Sequence, residues 1–174
     1  MDRFGLCLFL PRIAVFYFRP SRFFPRDNAT MSIIDNLAYV MQSMIENEQS
    51  LRDGIGLVAN FTGWKMANFN MSYWHKLLMT LQGRRVPTRV QIFLIVNPPS
   101  WFGSIQAIMR PMMSDAFRKK VHVIQTDQLP KYLSASYHDF LPEDLATGQA
   151  STKATVKAFV ASRKRIESAR ILSS

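Results

Sequence analysis

The sequence predicts an α/β fold, a mostly parallel or mixed sheet of about four to five strands covered by helices. Short apolar runs of strand length recur along the chain, and segments with helical spacing of apolar residues separate them. Parallel strands need crossover connections, which such an alternation supplies. With 174 residues, 48% of them hydrophobic, the chain can bury one sizeable core. We expect one domain over residues 1–150 and a basic helix or tail over residues 151–174.

Each element has a local signature. The β-branched and aromatic runs predict buried strands over residues 13–18, 55–61, 90–96 and 121–124. Apolar residues spaced by three and four predict helices over residues 28–51, 71–81, 100–117 and 129–137. Asp27 or Asn28 can cap the first helix, and Asp53-Gly54 can end it. Pro111 predicts a kink in the third helix.

The net charge of the chain limits the kinds of partner that it is expected to bind. The formal net charge is +10, and residues 151–174 hold six Lys and Arg against one Glu, a net of +5. Such a surface favours phosphates or acidic membranes. For the tail, two interpretations stay open: a solvated or frayed helix, and a membrane-facing helix that uses Val156, Phe159 and Val160. Nucleic-acid binding rests on net charge alone, since no recognition motif accompanies it, and we expect no nucleic-acid partner.

Catalytic motifs are missing from the sequence. No P-loop, dinucleotide turn or nucleophile elbow is present, and the three histidines have no metal-ligand spacing. Cys7 is the only cysteine, which excludes an internal disulfide and fits a reducing compartment. No run approaches the ~18–20 apolar residues of a spanning helix. We therefore expect a cytoplasmic protein with peripheral membrane association, no catalytic residue, no metal and no cofactor.

The segment from Asn97 to Lys120 has an unusual pattern. It begins with Pro98-Pro99, contains Gly103 and Pro111, and ends in cations. An apolar stripe runs along it, made of Trp101, Phe102, Ile105, Ile108, Met109 and Met112. Two interpretations fit this stripe: a helix packed on the sheet as ordinary core, and a hinged, movable wall of a ligand pocket. The cations alone favour a solvated surface.

Several short motifs, taken in order, resemble the CRAL-TRIO lipid-binding domain family. The matching segments are Arg19-Pro20-Ser21-Arg22-Phe23, Asp53-Gly54-Ile55, Phe61-Thr62-Gly63-Trp64, Val96-Asn97-Pro98-Pro99-x-Trp101-Phe102, Arg110-Pro111-Met112-Met113, Lys120-Val121-His122-Val123 and Leu141-Pro142-Glu143-Asp144-Leu145. The resemblance covers roughly residues 12–148. Around residues 128–145 it is similar to the module found beside some protein tyrosine phosphatase domains.

The resemblance implies an apolar cavity on the sheet, closed by a gate helix over residues 101–117. The expected pocket and gate residues are Phe61, Trp74, Leu94, Val96, Trp101, Phe102, Ile105, Ile108, Met109, Met112 and Phe117. It also implies head-group or membrane contacts for Arg118, Lys119 and Lys120. Thr88 stands where inositol-lipid binders have a glutamate, and we expect the family's N-terminal helical lobe to be absent before Met1.

Two functions from different classes follow. The first is non-catalytic binding, and possible transfer, of a lipid or other lipophilic ligand at an anionic membrane surface. The second is a membrane- or phosphoinositide-targeting or protein-interaction module without a bound ligand.

Overall fold

The computed structural model describes residues 6–9, 13–24, 30–46, 48–82, 89–133, 141–145 and 151–172. Three sequence predictions fall outside these ranges: the helix caps at Asp27 or Asn28, the role of Thr88, and the end of the helix predicted over residues 129–137. Residues 1–5 and 10–12 are outside them as well.

A five-stranded sheet in the order β1-β2-β3-β4-β5 forms the centre of the fold. Strands β2 to β5 are parallel, whereas β1 pairs with β2 antiparallel. The α/β class and the four parallel strands are as predicted, and β1 lies in a stretch where no strand was expected. The strands are β1 Leu6–Phe9, β2 Ala14–Phe18, β3 Ile55–Asn60, β4 Val90–Val96 and β5 Val121–Ile124.

The crossover helices pack on one face of this sheet. Each parallel strand is added on the same side of the preceding one, and right-handed crossovers then bring every connecting helix to the same face. Helices α1, α3, α4 and α5 share one buried cluster with the side chains of β2, β3 and β4 that point toward them. The helices are α1 Thr30–Met44, α2 Glu48–Asp53, α3 Met71–Leu81, α4 Phe102–Met109, α5 Asp115–Arg118 and α6 Thr152–Leu172.

Helix boundaries differ from the prediction in two places. The helix expected over residues 28–51 is interrupted after Met44 and resumes as α2. Its end is as predicted: Gly54 has a φ of +79°, and a Cβ there would lie 2.3 Å from the Arg89 carbonyl oxygen. Beyond β5, the chain forms a 3-10 helix over Thr126–Lys131 instead of an α-helix that begins at Leu129.

The opposite face of the sheet carries a smaller core. Val15, Tyr17, Val58, Leu94, Val96 and Ile124 pack there beneath Leu129, Leu141 and Leu145. A polar network fastens this cover to the sheet. Asp144 accepts a hydrogen bond from the Tyr17 hydroxyl at 2.8 Å and pairs with Arg19, while Asn60 Nδ2 donates to the Tyr17 hydroxyl at 3.1 Å. Burial raises the pKa of Tyr17, so its hydroxyl stays neutral.

Candidate ligand-binding site

The 101–117 segment leaves β4 through a constrained turn. Asn97 has a positive φ of 52°, a conformation that Asn tolerates better than most residues. Its Nδ2 donates to the Thr62 and Thr126 hydroxyls at 3.1 and 2.7 Å, and its Oδ1 accepts from the Thr126 N–H at 3.0 Å. One side chain therefore ties together the chain after β3, β4 and β5, directly before α4.

A break divides the segment where Pro111 predicts a kink. Residues Arg110–Met112 form a 3-10 turn after α4, and α5 begins only at Asp115. Pro111 has no backbone N–H to continue the α-helical pattern. Ser114 then caps α5, since its hydroxyl accepts from the Phe117 N–H at 3.2 Å. The turn at Asn97 thus bounds the segment at its start. Residues 110–114, called the joint below, interrupt the helix near its end.

The inward side of this segment is apolar throughout. Phe102, Ile105, Met109 and Phe117 are buried in the helix-side core, and Trp101 and Met112 pack against it while partly exposed. The predicted stripe was wrong at Ile108, which is 51% exposed. Successive residues are 100° apart around a helix, and Ile105 and Met109 already occupy the inward positions. Ile108 is therefore a surface residue of the segment and does not face the sheet.

An aromatic cluster lies beneath the first turn of α4. Trp101 stacks on Trp64 with ring centroids 4.8 Å apart, and Phe102 meets the edge of Phe61 at 5.2 Å. Phe61 in turn stacks on Trp74 of α3 at 5.8 Å. Four of these five residues were expected in the site. Trp64 was not among the expected site residues, and the signal that could have marked it is an aromatic residue placed directly after the tight turn that follows a strand.

The site residues expected on β4 face the wrong way. Leu94 and Val96 lie in the core on the far side of the sheet from α4. Phe93 and Ile95 point toward α4 instead, beside Leu57 and Ala59, their register partners on β3. Side chains alternate along a strand, so choosing the wrong parity moves a whole set to the other face. Leu94 and Val96 therefore cannot line a pocket beneath α4.

Gln82 links the joint to the end of α3. Its Nε2 donates to the Met112 carbonyl at 3.1 Å, and its Oε1 accepts from the Ser114 N–H at 2.8 Å. The same Nε2 also donates to the Leu78 carbonyl at 3.1 Å. A single side-chain amide thus holds both sides of the break between α4 and α5. The sequence analysis missed this residue, because a Gln at the end of a helix has no distinctive pattern.

The three cations after α5 have different environments. Arg118 pairs with Asp115, one helical turn earlier, and Lys120 Nζ donates to the Val90 carbonyl at 2.5 Å. Lys119 is exposed, and no carboxylate of the described residues pairs with it. The structure brings all three to the edge of the sheet where the parallel strands begin. Lys119 is exposed to solvent, while Arg118 and Lys120 are held by their local contacts.

The chemistry available beneath α4 is apolar. Burial raises the pKa of Tyr73, which stacks on Phe23, and so keeps its hydroxyl neutral. Over the described ranges, no group of three or more His, Cys, Asp and Glu is placed to hold a metal ion. No helix in those ranges has both the length and the apolarity needed to span a bilayer. The arrangement suits contact with an uncharged, hydrophobic molecule.

Helix α6 docks beside α1 through Arg163. The Arg163 guanidinium binds both carboxylate oxygens of Glu46, at 2.6 and 3.1 Å, and lies over the Tyr39 ring. Phe159, one turn earlier, packs against the helix-side core. This contradicts the interpretation in which Phe159 faces a membrane, because its face of α6 is turned inward. A neighbouring face carries Lys153, Lys157 and Lys164, all exposed and without a carboxylate partner in the described chain.

The model of the CRAL/TRIO domain matches residues 12–145 of this chain. The chain belongs to the CRAL/TRIO family. Proteins of this family generally bind or transfer lipophilic ligands and are generally not catalysts. The match covers strands β2 to β5, the 101–117 segment and the cover formed by residues 141–145, so it includes the whole of the candidate site.

Curated relatives share the module over part of their length. The chain is 26% identical over 121 residues to the tyrosine-protein phosphatase non-receptor type 9 of Mus musculus, and 25% identical to that of Homo sapiens. These matches cover 70% of this chain but only 20% of each relative. Among solved structures, the crystal structure of Sfh5 superposes with a TM-score of 0.61 at 15% identity, covering 83% of this chain and 55% of that one. This likeness shows the fold alone.

Proposed function

We propose that this chain binds a lipid or another lipophilic molecule between α4 and the sheet, exchanges it at an anionic membrane surface, and catalyses no reaction. The observation that carries the proposal is the packing of α4. Its inward side chains are all apolar, they lie on an aromatic cluster, and both ends of the helix are marked by breaks in regular structure. Family membership supports the class of ligand.

The energy of opening favours exchange at a membrane. Moving α4 away from the sheet exposes Phe102, Ile105 and Met109, which are buried in the closed state. At ~1.5–3 kcal/mol for each large apolar side chain, exposure to water costs about 5–9 kcal/mol. In water, fewer than about one molecule in a thousand would be in this open state. A bilayer interface accepts the same side chains and so removes most of this cost.

Cations on two parts of the surface support attraction to acidic lipids. Lys119 follows α5, and Lys153, Lys157 and Lys164 share one exposed face of α6. Each Lys near an anionic leaflet contributes about 1 kcal/mol of attraction. Arg118 and Lys120 would contribute to head-group binding after release of their contacts with Asp115 and Val90.

A second candidate is a membrane- or phosphoinositide-targeting module that holds no ligand. The closed packing of α4 favours it, since Phe102 and Met109 are buried against protein side chains of the helix-side core. In that case the exposed lysines of α6 would bind the acidic surface without opening of the site.

Lipid extraction after mixing with membranes separates the two candidates. The purified chain is incubated with vesicles of phosphatidylcholine and phosphatidylserine, recovered from them, and analysed by native and lipid mass spectrometry. We expect one lipophilic molecule per chain. A chain that binds these vesicles but returns without ligand would support the targeting module and contradict the proposed binding.

A further inference from the structure

Two buried indole N–H groups of the site have no hydrogen-bond acceptor among the described residues. Trp64 and Trp74 are 3% and 2% exposed, and the Nε1 atom of each is buried with no partner within the described chain. Buried polar groups in proteins nearly always have a partner, and an indole nitrogen can only donate. Two exceptions in one cluster therefore require an explanation.

Both indoles belong to the aromatic cluster beneath α4. Their ring centroids are 6.0 Å apart with the rings nearly perpendicular, and Phe61 contacts both, at 4.9 Å from Trp64 and 5.8 Å from Trp74. Phe102 of α4 lies 6.1 Å from Trp64. A ligand that takes the place of the inward face of α4 would thus enter next to these two donors.

From this geometry we infer that Trp64 and Trp74 form a polar subsite that recognises an uncharged oxygen acceptor in the buried part of the ligand. The inference rests on the proposed function and specifies its ligand class: a lipophilic molecule with an ester, ketone, aldehyde or hydroxyl oxygen among the rings. A plain hydrocarbon leaves both donors unpaired. A carboxylate would be buried among aromatic rings, which is strongly unfavourable for a charged group.

A matched pair of ligands tests the subsite directly. The chain has three tryptophans, so a nitrogen-15 correlation spectrum contains three indole N–H signals, which Trp64→Phe, Trp74→Phe and Trp101→Phe assign. Methyl palmitate and hexadecane, delivered from cyclodextrin, have the same chain length and differ in the ester group. We expect methyl palmitate, and not hexadecane, to move the Trp64 or Trp74 signal downfield, as hydrogen bonding to an acceptor requires.

Affinities for the two ligands provide a second readout. We expect the wild-type chain to bind the ester about fivefold more tightly than the hydrocarbon. This ratio corresponds to the net free energy of one hydrogen bond. Trp64→Phe or Trp74→Phe should reduce this ratio toward one. Trp101→Phe is the matched control: it alters the same cluster at a half-buried indole that is not among the unpartnered donors, and should weaken both ligands alike without changing their ratio.

The outcomes separate this inference from the proposed function. Binding of both ligands with equal affinity, or with no downfield shift at Trp64 and Trp74, would overturn the polar subsite while leaving lipophilic binding intact. That result would mean that the two N–H groups are satisfied by weak contacts with neighbouring ring faces. A chain that binds neither ligand would overturn both the subsite and the proposed function.

Discussion

Gln82 holds Ser114 across the break between α4 and α5, since its Oε1 accepts the Ser114 N–H at 2.8 Å. Because Nε2 of the same amide donates to the Met112 carbonyl, the two hydrogen bonds close the joint from either side of Met113. Any outward movement of α4 that carries this joint with it must break them. Gln82 therefore holds residues 112–114 to the end of α3.

Replacing Gln82 should loosen this joint locally. We expect Gln82→Ala to lower the free energy of unfolding by about 1 kcal/mol and to speed hydrogen–deuterium exchange at the Ser114 amide. Amides of β3 and β4 should exchange as before. Gln82→Glu is the matched control, because it keeps an acceptor for Ser114 but loses the donor to Met112. Unchanged exchange at Ser114 in Gln82→Ala would show that Gln82 does not hold the joint.

The first turn of α4 depends on the stack of Trp101 on Trp64. Trp101→Ala removes a large aromatic contact at 4.8 Å between the ring centroids. We expect a loss of about 2 kcal/mol in the free energy of unfolding and faster amide exchange through α4. Ile108→Ala, on the exposed side of the same helix, should change stability by less than about 0.5 kcal/mol. Equal effects in denaturant titrations of the two variants would contradict this assignment of inward and outward faces.

The docking of α6 should depend on pH through Glu46. Hydrogen bonds from Arg163 lower the pKa of Glu46 from its ordinary value of 4.5. A depressed folded-state pKa stabilises the protein above pH 4.5, and this contribution disappears as the pH falls through the folded-state value. Because Glu46 is partly exposed, we expect Glu46→Gln to lose at most about 1 kcal/mol at neutral pH.

The pH profile of this difference is the check on the ion pair. The stability difference between wild type and Glu46→Gln should be constant at neutral pH and shrink below pH 4.5, as the pH falls through the lowered folded-state pKa of Glu46. Urea titrations at several pH values measure it. A stability difference that stays the same in acid would mean that packing, and not the charge of Glu46, holds α6 against α1.

The lysine face of α6 should control binding to acidic vesicles. Lys153, Lys157 and Lys164 are separated by four and seven residues, which places them along one side of the helix. We expect replacement of all three by Gln to weaken binding to phosphatidylserine vesicles about tenfold or more at low salt. Arg163 is left in place, because it is engaged with Glu46 and its loss would disturb docking. Vesicle sedimentation with unchanged affinity would exclude this face from membrane contact.

Much of the fold was predictable, because strands β2 to β5 and most of the helices carry a local signal. The four parallel strands and the break at Pro111 follow from apolar runs and from the missing N–H of proline. The pairing of β1 with β2 was not predictable, since a four-residue apolar run gives no sign of its partner. The division of the first long helix after Met44 likewise has no proline or glycine to announce it.

The sequence predicted which segment forms the site, but not which side chains of β4 point toward it. In β4, every residue from Phe93 to Val96 is apolar and buried, so the sequence contains no alternation that identifies the side toward α4. Only the register, which places Phe93 beside Leu57 and Ile95 beside Ala59, resolves it. Trp64 and Gln82 became visible for the same reason: their roles depend on neighbours that are distant in the sequence.

Quenching of tryptophan fluorescence by a brominated lipid tests ligand binding beneath α4 most directly. The three tryptophans of the chain all lie in the one aromatic cluster, and bromine atoms quench indole emission only at close range. Titration with methyl dibromostearate should quench most of the emission and saturate at one molecule per chain, while unbrominated methyl stearate competes. Emission that stays unquenched while the chain still binds anionic vesicles would contradict a ligand site at this cluster.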